Sequence, residues 1–188
     1  PDLIDSYEAE RRPVHKVVLE EAMANHAIVG AGFPPALEDA SPEGEAIRGK
    51  VGSMIQATKG REFHTLGTVL GLGYEASPII VEDGTPAPVR EGQTYRPSAR
   101  PGQLAPHAWL ADGRSLYDAF GQGFTLLASA DAGEADLSKA RTEAQALGIP
   151  LTVVQPDGMD VKSLYGAELA LIRPDQHVAW RGDAWASV

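Results

Sequence analysis

The apolar positions of the first thirty residues recur at a helical interval. Leu3, Ile4, Tyr7, Val14, Val17, Val18 and Ala22 fall on one stripe at about 100° per residue, and Glu8, Glu20 and Glu21 lie largely off it. The stripe predicts an amphipathic helix. Pro13 should bend or interrupt it, because proline lacks an N–H and crowds the carbonyl four residues back. Arg11 projects onto the stripe between Tyr7 and Val14. A guanidinium there must either reach water or pair with a packed neighbour, which could belong to a domain outside this chain. Residues 30–35 close the helix. A weaker helical pattern over 43–59 puts Ile47, Val51, Met54 and Ile55 on its inner face, against the low propensity of Gly44, Gly49 and Gly52. A β-branched run at 78–81 predicts a strand, followed by a turn at Glu82-Asp83-Gly84. Residues 84–106 are rich in proline and glycine and predict a linker or long surface loop.

Beyond Pro106 the texture changes. Strands are predicted at 107–110, 124–129, 151–155, 168–173 and 177–181. A helical turn at 115–120 has Ser115 as its cap, and a helix over 136–147 ends at Gly148. Pro174-Asp175-Gln176 joins the last two strands, with proline at its favoured second turn position. Phe124, Leu126, Val153, Leu169 and Leu171 should point into the core. A βαβ unit followed by a hairpin predicts an α/β fold with a mixed sheet, preceded by a helical segment.

Composition narrows the chemistry. The 188 residues suit one domain, or one plus a piece of another. A formal charge of -10 argues against nucleic-acid or anionic-membrane partners. The absence of cysteine removes disulfides, thiolate metal sites and cysteine nucleophiles, and fits a cytoplasmic location. No apolar run approaches the roughly 18 residues that would span a bilayer. The chain opens on a charged segment without methionine, so a piece of a larger protein is expected.

Most candidate motifs fail on context. Gly30-Ala31-Gly32 follows a helix and precedes Phe33-Pro34-Pro35, whereas a dinucleotide loop must follow a strand and open a helix. Gly71-Leu72-Gly73 is followed by a predicted strand and fails likewise. His15, His26, His64, His107 and His177 form no metal-binding spacing. The serines at 6, 53, 98, 115 and 163 lack a nucleophile elbow. Trp109, Trp180 and Trp185 read as packing residues. No catalytic, cofactor-binding or metal-binding residue is assigned.

Two stretches resemble a known family. Leu3-Ile4-Asp5-Ser6-Tyr7-Glu8-Ala9-Glu10-Arg11-Arg12-Pro13-Val14 resembles the helix that follows the flavin domain in FAD-dependent aromatic-ring hydroxylases. The series Arg100-Pro101-Gly102, Ala105-Pro106-His107-Ala108-Trp109-Leu110, Asp112-Gly113-Arg114-Ser115-Leu116-Tyr117-Asp118, Gly121-Gln122-Gly123-Phe124 and Leu171-Ile172-Arg173-Pro174-Asp175-Gln176-His177-Val178-Ala179-Trp180-Arg181 resembles their C-terminal thioredoxin-like domain. Residues 74–86 are similar to the phenol and chlorophenol hydroxylase branch; polyketide hydroxylases belong to the same type. The chain departs from working thioredoxins. Ser129-Ala130-Asp131-Ala132 stands where they carry CxxC, and Tyr165-Gly166-Ala167 where they carry a cis proline.

The resemblance implies that residues 1–60 complete a missing flavin and substrate domain. Residues 61–104 would connect, and 105–188 would form a thioredoxin-like domain lacking CxxC. The parent enzyme would use FAD, NAD(P)H and O2 to hydroxylate a phenol-like ring. The piece alone would be structural and inactive, without a cofactor or metal. Its expected partners are the missing N-terminal flavin domain and further copies of itself. The apolar stripe of the first helix needs cover, either by folding back on 43–70 or by pairing with a second copy, and the glycine-rich 43–70 segment favours the second. The alternative is a stand-alone, redox-inactive thioredoxin-fold module that binds a protein.

Overall fold

The computed structural model describes residues 2–30 and 32–186, with no description of the side chains of residues 2, 3 and 28–30. Helix α1 (Asp2–Gly30) leads to a short 3-10 turn (Pro35–Glu38), α2 (Pro42–Phe63) and α3 (Leu66–Leu70). A long irregular stretch follows. Then come a second 3-10 turn (Leu116–Ala119), β1 (Phe124–Ala128), α4 (Glu134–Ala146), β2 (Leu151–Val154), α5 (Val161–Tyr165), β3 (Leu169–Ile172) and β4 (Val178–Gly182).

The sheet order is β2-β1-β3-β4. β1 and β2 run parallel, and the β1–β3 and β3–β4 pairs are antiparallel. This is the mixed sheet of a thioredoxin-like fold, as expected. Side chains alternate between its two faces. Leu127, Ala170 and Ile172 pack with Leu116, Val161 and Tyr165 on one face. Leu126, Ala128 and Leu169 pack with Leu137 and Ala140 of α4 on the other. Ile172 pairs with Val178 but Leu171 with Trp180, so Ala179 is an inserted residue. That bulge sends Val178 and Trp180 to opposite faces despite their even spacing. Among the five predicted core residues, Leu126 and Leu169 are fully buried. Phe124, Val153 and Leu171 lie on the α4 face and are half-buried; Phe124 and Leu171 line a groove between α4, the sheet and residues 78–81, and Val153 belongs to the edge strand β2.

Several expectations need correction. α1 runs unbroken through Pro13. α2 is longer than its pattern, starting where the Ser41 hydroxyl accepts from the Gly44 N–H. Its expected inner face is not buried: Met54 and Ile55 are exposed, and Ile47 and Val51 only half-covered. Residues 78–81 form no strand; the Val81 N–H reaches the Ala179 carbonyl at 2.9 Å, a single bond at the β4 edge. The 107–110 strand reduces to one bridge between Trp109 and Ser115. The Ser115 cap is present and belongs to a capping box with Asp118. α3 and α5 are short helices that the pattern did not reveal.

The largest correction concerns the linker. Residues 99–103, 105 and 106 are buried, not a surface loop. Gly102 (φ +91°) donates to the Val178 carbonyl at 2.7 Å, Val178 donates to Gln103 at 2.9 Å, and Ala105 donates to Gln176 at 2.9 Å. The segment satisfies its backbone against the β4 end of the hairpin, so it can be buried without a strand's regularity. Arg100 and Arg181 fasten the preceding loop, through the Thr85 carbonyl at 2.7 Å and Asp83 at 2.6 Å.

Candidate functional site

The strongest polar constellation joins the two ends of the chain. Glu10 of α1 is 5% exposed and Arg173, which follows β3, is 9% exposed. Their side chains meet in a two-pronged pair at 2.6 and 3.0 Å. The same guanidinium reaches Asp175 at 3.1 and 2.9 Å. Ser77 donates to Glu10 at 2.5 Å. Arg173 lies 5.1 Å from the centre of the Tyr74 ring, and His177 stacks on that ring at 4.2 Å. Such a site arises because the three-residue hairpin loop, with Gln176 at φ +66°, gathers Arg173, Asp175 and His177, and Arg173 reaches α1.

Burial alone would push the Glu10 carboxyl up. Hydrogen bonds from Arg173 and Ser77, and the charge of Arg173, outweigh it and hold the group below its ordinary 4.5. Burial also opposes ionisation of Asp175, yet hydrogen bonding and charge from His177, with the charge of Arg173, bring it down to about 2. A depressed carboxyl contributes stability that is full above the unfolded value and is lost as pH falls through the folded one. Thermal melts should therefore be level from neutral pH to about 5, then fall steeply toward pH 2. A midpoint constant down to pH 2 would contradict the clamp. The Glu10→Gln variant should show a shallower fall.

Arg11, the residue singled out in the sequence, donates to the Tyr74 hydroxyl at 2.9 Å. It borders the cluster, but its partner is a phenol rather than a carboxylate. Periodicity missed Glu10 because it scores apolar positions only. The need for a buried partner was legible one residue away.

The remaining candidates are scattered. His15, His26 and His64 are exposed; His107 bonds Ser115 at 2.9 Å. Ser6 is buried, and Ser53 and Ser163 are exposed. Trp180 and Trp185 pack edge to face at 5.4 Å, whereas Trp109 is 73% exposed and so is not a core residue. Ser129, first of the four residues at the CxxC position, donates to Glu168, which also pairs with Lys162 at 2.6 Å. Gly166 is left-handed and ends α5. Among the described residues, no cluster of three or more metal ligands occurs and no helix is long and apolar enough to cross a membrane.

The glycine pairs do not fit a flavin pyrophosphate. Gly30 is the last residue of α1 rather than the start of a helix, and Ala31 lies outside the described residues. A Cβ on Gly73 would meet the Gln103 side chain at 2.0 Å, so that close approach serves internal packing. The α2 N-terminus carries Glu43 and Glu45, which repel a phosphate.

The model of the aromatic-ring hydroxylase C-terminal domain matches residues 98–187. The FAD-dependent monooxygenase apdD of Emericella nidulans is 32% identical over 98% of this chain and 31% of its own length. Phenol 2-monooxygenase of a Pseudomonas species is 30% identical over 98% of this chain and 36% of its own. The structure of the rebeccamycin biosynthetic enzyme RebC with reduced flavin superposes with a TM-score of 0.83, at 37% identity, over 100% of this chain and 34% of that one. The chain thus spans about a third of the length of the curated relatives it matches.

Proposed function

The chain belongs to the aromatic-ring hydroxylases, as their C-terminal region, and from that premise we propose that it completes a flavin-dependent monooxygenase acting on a phenol-like ring. The carrying observation is similarity over 98% of the chain, helix α1 included, to enzymes named as FAD-dependent and phenol monooxygenases. FAD would be the oxygen-activating cofactor, reduced by NADH or NADPH. One oxygen atom of O2 enters the ring and the other leaves as water, with one NAD(P)H oxidised. A cytoplasmic location would supply that reductant.

The FAD itself would be held by residues outside this chain, since the glycine pairs here form no cradle for it. The chain's own part is positional. Residues 1–60 complete the catalytic side, 61–104 connect, and 105–188 form the appended domain. α1 turns Ile4 (80% exposed) and Tyr7 (67% exposed) to solvent. Val14 and Val17 are half-covered, and Glu21 meets Arg61 of α2 at 2.7 Å. The helix thus folds back on α2 without covering its whole stripe. The flavin-bearing part would cover the rest, and a second copy is the other candidate.

Two results are expected. Incubated with FAD and desalted, the 188-residue chain should keep no flavin absorbance; a stoichiometric band would show a site that the geometry lacks. The native polypeptide carrying this sequence, supplied with ¹⁸O-labelled O2, NAD(P)H and a phenol, should place one labelled atom on the ring. Label drawn from water would overturn the monooxygenase reading. A protein-binding module remains the alternative class, but a self-sufficient module has no need of a helix with these bare apolar positions.

A further inference from the structure

We infer that the Glu10–Arg173–Asp175 cluster is an orientation key, selecting which face α1 turns toward the thioredoxin-like domain. This goes beyond the enzymatic reading and does not depend on it.

The apolar stripe of α1 and its buried face do not coincide. In helical projection the apolar stripe centres near Tyr7, Arg11 and Val18. The face turned to the body centres instead on Ser6, Glu10, Val14 and Val17. The two centres differ by about 70°, roughly two-thirds of one residue's turn of the helix, and Val14 and Val17 belong to both. Rolling α1 by that amount would bring Ile4, Tyr7 and Val18 inward, and each of them is substantially exposed as the helix now lies. Apolar burial within this chain therefore does not by itself select the observed orientation.

Glu10 does. It is buried to 5% exposure on a helix with little other full burial, and it meets Arg173, itself 9% exposed, 163 positions away. A roll would separate them, taking from Glu10 its counter-charge, leaving the buried guanidinium with Asp175 alone and Ser77 without its acceptor. The planar guanidinium fixes the carboxylate in angle as well as distance. Asp175 grips the other edge of the same guanidinium, and Tyr74 lies against it, so Arg173 is held by contacts that do not involve α1. Arg11, the next residue along, ties to Tyr74 and braces the same orientation. Buried ion pairs often add little net stability over apolar replacements, but can enforce one arrangement among several.

The chain contains no cysteine, so single cysteines can be introduced and labelled cleanly. Spin labels at the exposed positions Glu20 on α1 and Lys139 on α4 report the helix orientation by pulsed electron resonance. The native cluster should give one narrow distance distribution. The paired replacement Glu10→Leu with Arg173→Met should keep the circular dichroism and the melt, yet broaden or split that distribution. Glu10→Gln, which keeps shape but removes charge, should broaden it to a lesser degree. An unchanged narrow distribution in folded Glu10→Gln or in the folded apolar pair would overturn the key. Loss of folding in both would also overturn it, because the cluster's role would then be stability.

Discussion

Replacing Arg173 by alanine should destabilise the chain by about 3–5 kcal/mol, the usual cost of removing one partner from a buried ion pair. The loss exceeds that of a surface pair because Glu10, 5% exposed, would keep only the Ser77 hydroxyl and Asp175 would lose its guanidinium. The exposed pair Arg12–Glu8 at 3.0 Å makes the control: Arg12→Ala should move the melt very little. Denaturant melts of both variants measure this. Equal small shifts would mean that water reaches Glu10 freely and that the clamp is not buried.

Leu126→Ala should cost about 2–5 kcal/mol. Leu126 is wholly buried at the centre of β1. It faces α4, where Leu137 and Ala140 are also buried, and it pairs across the sheet with Leu171 and Val153. Its neighbours come from three elements, so the cavity cannot close by moving one side chain. Leu147→Ala on the same helix side is the contrast: Leu147 is 68% exposed and its loss should be slight. A Leu126→Ala melt indistinguishable from the parent would mean that the strand register is misplaced.

How much of this was legible depends on whether the signal was periodic. α1, α4 and the four strands carry runs long enough for a helical or two-residue repeat to show. The helices α3 and α5 have five residues each and cannot show one. The strand expected at 78–81 failed because β propensity reports fit to a half-buried surface, and Val81 makes only one ladder bond there. Residues 99–106 looked like a surface loop because proline and glycine suppress both repeats. They are buried because the hairpin end offers acceptors for Gly102 and Ala105. The site was hidden for a related reason. Glu10 and Arg173 are far apart in sequence, and nothing in a single sequence shows that a helix and a hairpin loop will meet. The family resemblance supplied the sheet topology, but not this contact.

The most direct test of the account is the size and colour of the native polypeptide that contains this sequence. An antibody to residues 105–188 can retrieve it from its source. The account predicts a chain about three times the length of this one, given that relatives are covered to about a third, with one bound FAD per chain and NAD(P)H oxidation stimulated by a phenolic ring. A colourless polypeptide of 19.9 kDa that neither binds flavin nor consumes NAD(P)H would contradict it.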